Sequence, residues 1–156
     1  MSQHTFRTML IGIAMSCHMA GPGFAETFYV EMRNAKSDDP QAINVFEPPI
    51  LKIAKGDTVV FLPIDNGHNS ASKKGMIPDG VERWNSKIDK EFSVTFNTDG
   101  TYGYICIPHA QMGMVGLVLV GDYTVNYADA QKVRQAGRAK KVFKQLFSQI
   151  DQGGFE

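Results

Sequence analysis

Short apolar stretches closed by Gly, Pro, Asn or Asp turns recur from residue 27 to residue 120, and no helical period appears before about residue 128. A chain patterned this way is driven to pair strands, because each stretch is too short to bury a helical face. Thr27 to Arg33 alternates, with Phe28, Val30 and Met32 on one side. After a polar loop comes Val45 to Ala54, whose Pro48 and Pro49 cannot serve a ladder on both sides and so imply an edge or bent strand. Lys55-Gly56-Asp57 is turn chemistry, and Thr58 to Pro63 reads as a short buried strand. A Gly/Pro-punctuated loop follows, with one helical turn expected around Val81 to Asn85. Glu91 to Phe96 alternates again, with Phe92, Val94 and Phe96 inward. Asn97-Thr98-Asp99-Gly100 reads as a hairpin-type turn. Val115 to Val120 carries no polar side chain and reads as a strand covered on both faces. Six or seven such strands predict an all-β fold, a sandwich of two sheets.

The period changes near the C-terminus. One helical segment runs from about residue 128 to a break at Gly137, and a second runs from Arg138 to a stop at Gly153-Gly154. Val142, Phe143, Leu146, Phe147 and Ile150 share one face of the second, which should pack on the sandwich.

The first 25 residues have a different design. Arg7 precedes an apolar run, and Gly23 and Ala25 occupy the −3 and −1 positions of a cleavage site after Ala25. This is the layout of a secretory signal peptide, too short to anchor the chain permanently. No second hydrophobic span follows. The expected organisation is a leader over 1–25 and one domain over 26–156, exported to the periplasm.

Cleavage sharpens the inventory. His4, Cys17 and His18 leave with the leader, so the mature chain keeps two histidines, His68 and His109, and one cysteine, Cys106. Its 15 basic and 16 acidic residues leave a net charge of −1, which offers no basis for a nucleic-acid partner. A lone thiol in an oxidising compartment is exposed to oxidation unless something occupies it.

Cys106, His109 and Met114 fall at C-x2-H-x4-M within one loop between two strands, and His68 follows another strand after Asn66-Gly67. A sandwich places both turn-rich segments at one end. A C-x2-H pair alone is a weak signal, and a buried cysteine or methionine is commonly plain core. The weight lies in the inventory, since every histidine and cysteine of the mature chain is in these two segments. Two imidazoles, a thiolate and a thioether are a soft set that suits copper in a trigonal His2Cys site with a long axial Met. Zinc gains little from a thioether. If all four bind, no position is left for a substrate, which argues against an enzyme. Met112 is a rival axial donor, but three residues after His109 it is expected to point outward. Asn69, by its side chain or its backbone N–H, is placed to bond the thiolate and tie the two ligand segments together. Pro108 removes one possible N–H donor near the sulfur.

These residues carry a resemblance. The elements V-F-E-P (Val45 to Pro48), K-G-D-T-V (Lys55 to Val59), G-H-N (Gly67 to Asn69), M-I-P-D-G (Met76 to Gly80) and C-I-P-H-A-Q-M-G-M (Cys106 to Met114) resemble those of the cupredoxin family of type 1 copper proteins. The helical tail is most similar to its pseudoazurin group. The resemblance implies a Greek-key β-sandwich and His68, Cys106, His109 and Met114 as ligands of one copper ion cycling between Cu(I) and Cu(II). It also implies single-electron transfer in the periplasm to transient partners such as copper nitrite reductase, other denitrification enzymes and c-type cytochromes. A monomer is expected. The exposed edge of the second histidine would be the electron port, ringed by Met76, Ile77, Pro78, Pro108 and Met112. Lys36, Lys73, Lys74 and Lys87 would steer an acidic partner. The overall −1 balance departs from the more basic composition frequent in that group.

Two other functions use the same residues. A copper-delivery protein would share the ligands but release Cu(I) readily. A cysteine-nucleophile enzyme would need an orienting third group and an oxyanion hole, and the sequence carries a sign of neither.

Overall fold

The computed structural model describes residues 24–154. All but the last two residues of the leader expected at 1–25 lie outside the described residues. Eight strands form two four-stranded sheets stacked face to face, followed by two helices. β1 (Thr27–Ala35), β2 (Ile43–Glu47), β4 (Thr58–Pro63) and β6 (Phe92–Thr95) make the first sheet, in the order β2-β1-β4-β6. β3 (Ile50–Ile53), β5 (Ala71–Ser72), β7 (Gly100–Ile105) and β8 (Val115–Val120) make the second, in the order β3-β8-β7-β5. This is the two-sheet sandwich expected from the strand pattern. β1 and β4 pair in parallel, as do β3 and β8, so hairpins alone cannot build it.

Two expectations change with the topology. The stretch Val45 to Ala54 is not one bent strand: Pro48-Pro49 divides it into β2 and β3, which lie at the edges of different sheets. A proline pair cannot continue a ladder, and here it carries the chain from one layer to the other. Asn97 to Gly100 likewise does not close a hairpin, because β6 pairs with β4 and β7 pairs with β8. The turn crosses between sheets. The helical turn expected at 81–85 is absent, and Asn85 instead forms an isolated bridge with Ala71.

β8 is buried along its whole length, as its composition requires. Val118 and Val120 face the inter-sheet core with Val30, Met32, Phe46, Phe61, Trp84, Phe96 and Tyr104. Val115, Leu117 and Leu119 face outward and are covered by α1 (Tyr127–Lys132) and α2 (Ala139–Asp151). On α2, Phe143, Leu146, Phe147 and Ile150 are buried and Val142 is half-buried, the face read from the 3.6-residue period. Burying four such side chains contributes on the order of 1.5–3 kcal/mol each before entropy is charged against it. Among the described residues no helix is long and apolar enough to cross a membrane.

The β7–β8 pair ends at Ile105 opposite Val115, and everything between them is the ligand loop. One rung back, Tyr104 faces Gly116. A Cβ on Gly116 would lie 2.9 Å from the Tyr104 Cε1 and nearer still to its hydroxyl end, so the ring lies over the glycine in the space a side chain would fill. Gly116→Ala should therefore destabilise the fold by about 1–3 kcal/mol through overpacking, measured by denaturant unfolding. An unchanged midpoint would show that the ring has room to move.

Candidate metal centre

β4 ends at Pro63, and the turn after it delivers His68 into the interior, fully buried. The turn is fixed by Asp89, whose carboxylate accepts the Gly67 and His68 N–H groups, while the Asp89 N–H donates to the His68 carbonyl at 2.9 Å. Cys106 leaves β7 buried, and its N–H donates to the Met114 carbonyl at 3.0 Å, which closes the base of the loop. The His109 N–H returns to the Cys106 carbonyl at 3.1 Å, and the Met112 and Met114 N–H groups both reach the His109 carbonyl. The loop is thus wound around His109. Gly113, at φ +100°, supplies the left-handed residue that ends its single 3-10 turn, Ala110–Met112.

These backbones bring three donor atoms together. Cys106 Sγ is 3.8 Å from His68 Nδ1 and 3.6 Å from His109 Nδ1, and the two Nδ1 atoms are 3.2 Å apart. The point equidistant from the three lies about 2.1 Å from each. That matches a bond from imidazole to a first-row ion, about 2.0–2.1 Å in zinc sites, and is slightly short of the roughly 2.3 Å of a thiolate bond. A proton can bridge only one pair of these atoms at a time, whereas a metal ion bonds all three. Met114, whose carbonyl accepts the Cys106 N–H, is fully buried in the same inter-sheet cluster as Cys106. The set comprises two imidazoles, one thiol and one thioether, and it fits copper.

The surroundings fix the ligand state. His68 Nε2 is 2.9 Å from Asn34 Oδ1, an acceptor, so Nε2 holds the proton and Nδ1 presents its lone pair to the centre. Burial, and then the neighbouring His109, push the His68 pKa below its usual value. Burial raises the Cys106 thiol, against the backbone N–H groups of Asn69 and His109, which face the sulfur and favour the thiolate. Metal binding must displace that proton. The Asn69 backbone therefore serves the sulfur, while its side chain ties the two ligand segments together. Asn69 Oδ1 accepts the Ile107 N–H at 2.8 Å, and Nδ2 donates to the Ser86 carbonyl and to Asn85 Oδ1, each at 3.1 Å.

The docking ring is partly different from the sequence expectation. Met76 and Pro78 are buried and belong to no surface. The Gly103 N–H donates to the Met76 carbonyl, and Pro78 packs over Gly100, so this segment runs along β7 away from the ligand end. Ile77 is half-buried against the main core. The reason is the short β5: once Ser72 has paired with Tyr104, the chain continues down the same strand. Lys73 and Lys74 lie on that descending segment, with the Lys73 N–H on the Gly103 carbonyl. Pro108 is exposed and Met112 is 45 % exposed beside half-buried His109. Ile107, 53 % exposed, adds an apolar side chain that the sequence reading passed over. Lys87 is exposed in the segment that braces His68, and Lys36 lines a groove with Met112 and Arg138, its ammonium 2.7 Å from Asp38. Asn34 and Asp89 were also missed; each is far from its partner in sequence, and no local pattern marks it.

Residues 33–121 match the family model described as copper binding proteins, plastocyanin/azurin family. The chain is 36% identical to the pseudoazurin of Methylorubrum extorquens over 93% of this chain and 97% of that protein. It is 37% identical to the pseudoazurin of Paracoccus pantotrophus over 85% and 90%. In three dimensions it superposes on a pseudoazurin from Sinorhizobium meliloti with a TM-score of 0.78 at 39% identity, covering 83% of this chain and 99% of that one. The chain belongs to the plastocyanin/azurin family of copper-binding proteins, in its pseudoazurin group. Copper is its cofactor, and it is a type 1 copper electron carrier.

Two outcomes follow from the site. Asn34→Ala should weaken copper binding roughly 10- to 100-fold in chelator competition by freeing the His68 tautomer, with Asn34→Asp retaining more of the affinity; equal affinity in Asn34→Ala would discount the contact. His68, buried with a lowered pKa, stabilises the metal-free fold above its unfolded pKa of about 6.5, and that stability is lost as the pH falls below it. The metal-free protein should melt at a lower temperature at pH 5 than at pH 7.5, and His68→Gln should flatten the difference. An unaltered acid slope in that variant would assign the effect to other groups.

Proposed function

We propose that the chain carries single electrons in the periplasm, with His68, Cys106 and His109 as equatorial ligands and Met114 as the axial ligand of one copper ion. The observation that carries the assignment is the triangle of two Nδ1 atoms and one Sγ, held by two turns at one end of the sandwich. Copper supplies the one-electron couple. The protein supplies a frame that changes little between the two oxidation states. His68 is locked by Asn34, the sulfur is faced by two backbone N–H groups, and the loop ends are held by the last rung of β7 and β8. Low rearrangement favours rapid exchange with a partner.

His109 is the one ligand of the four that is not fully enclosed, so its edge is the port. Ile107, Pro108 and Met112 form an apolar rim suited to a small, transient interface. Lys36, which lines a groove with Met112, and Lys87, which follows the Ser86 carbonyl held by Asn69, are the docking lysines of this reading, where they would favour encounter with an acidic redox protein. Copper nitrite reductase and c-type cytochromes are the partner classes we propose, reached after export through the leader at 1–25.

Adding Cu(II) to the mature protein should give an intense blue colour that reductant removes reversibly. Cys106→Ser should abolish the colour while leaving the fold intact by circular dichroism. A colourless wild type with a freely titratable thiol would end this reading, and colour followed by rapid loss of Cu(I) to a competing chelator would favour delivery over electron transfer.

A further inference from the structure

The ligand loop is gripped from outside by the start of α2. The Gln111 carbonyl, on the single turn of that loop, accepts the Arg138 N–H at 2.8 Å. Arg138 caps α2, and its own side chain makes no capping bond. N–H groups at a helix start have no partner within the helix, so the loop carbonyl satisfies one of them. The approach is close on both sides. A Cβ on Gly137 would lie 2.6 Å from the Gln111 oxygen and 3.1 Å from its Cα. A Cβ on Gly113 would lie 2.9 Å from Val142 Cγ2 and 3.3 Å from Arg138 Cγ. Each partner thus contributes a glycine at the point of contact, Gly137 at φ +59° and Gly113 at φ +100°.

The far part of α2 does not move freely. Phe143, Leu146, Phe147 and Ile150 belong to the same buried cluster as Val115, Leu117 and Leu119 of β8, the strand that begins directly after Met114. One rigid helix therefore bears on β8 and on the tip of the loop that precedes it.

We propose that α2 is a brace on the ligand loop, with Gly137 and Arg138 as positioning residues. By holding Gln111 and Gly113, the helix restricts the turn that lies between His109 and Met114. The freedom of these two ligands is set in part by a helix outside the loop. The meaning for copper rests on the function proposed above, whereas the mechanical link does not.

The test is amide hydrogen exchange on the metal-free mature protein, comparing Gly137→Ala with Gly153→Ala. Gly153 also has a positive φ, +71°, but no atom lies within 4 Å of its Cβ position, and it is at the opposite end of α2. Both variants carry the same kind of backbone strain, and only the first presses on Gln111. The Met112, Gly113 and Met114 amides, bonded inside the loop, should exchange roughly tenfold faster in Gly137→Ala and at the wild-type rate in Gly153→Ala. In the copper-loaded proteins, Gly137→Ala should shift the visible band and the electron paramagnetic resonance signal, and Gly153→Ala should not. Loop exchange that is unchanged in Gly137→Ala, or raised equally in both, overturns the proposal. If Gly137→Ala does not fold, Val142→Ala removes the Gly113 contact without backbone strain; faster loop exchange then supports the brace, and unchanged exchange overturns it. Absence of colour in the wild type would count against the copper ligation and leave the exchange result standing.

Discussion

Two segments far apart in sequence must hold their donor atoms within bonding distance of one ion; the two-residue pairing of β5 with β7 brings them side by side, and the Asn69 side chain ties them at the ligands. Its carbonyl oxygen holds the Ile107 N–H and its amide holds the Ser86 carbonyl and Asn85. Asn69 is almost fully buried, so each of these bonds is made where an unpaired partner would be costly. His68 precedes Asn69, and Cys106 precedes Ile107. Fixing the second residue of each pair fixes the first, and the Asn69 N–H is left to face the sulfur. The site is built from neighbours of its ligands as much as from the ligands themselves.

The same logic extends outward in layers. Asp89 sets the turn before His68, and Asn34 sets its ring. The last rung of β7 and β8 sets the ends of the loop, and α2 meets its tip. β8 makes this possible because it is apolar on both faces. One face joins the inter-sheet core and the other receives the helices, so sandwich, loop and helices share one strand. A polar side chain on the outer face of β8 would be buried under α2 and would need a hydrogen-bond partner there.

Much of this was legible in the residues. The Cys106, His109 and Met114 spacing lies inside one loop, so its meaning is local, and the 3.6-residue period of α2 identified its buried face before any partner was known. The two-sheet sandwich followed from strand length and turn chemistry. The prolines at 48 and 49 marked an interruption, but whether the chain bends within a sheet or changes sheets depends on which strands pair, and pairing is a long-range property. Met76 and Pro78 were rim candidates only through the family resemblance. The direction taken after β5 carried them down β7 into the interior. Asn34 carried no signal at all: it is the last residue but one of β1, at the start of a polar segment, and the parallel pairing of β1 with β4 brings it beside His68.

By itself, then, the amino-acid order determined the chemical character of the site and the class of the fold. Ligand softness, strand length and helical period are properties of residues and their near neighbours, and they survive without coordinates. The tertiary structure alone decided how each ligand is held, which apolar residues reach the surface around His109, and that a C-terminal helix presses on the ligand loop. Those features arise where the chain meets itself across tens of residues. They depend on sheet order and on glycine-permitted contact between backbones, neither of which leaves a periodic trace in the sequence.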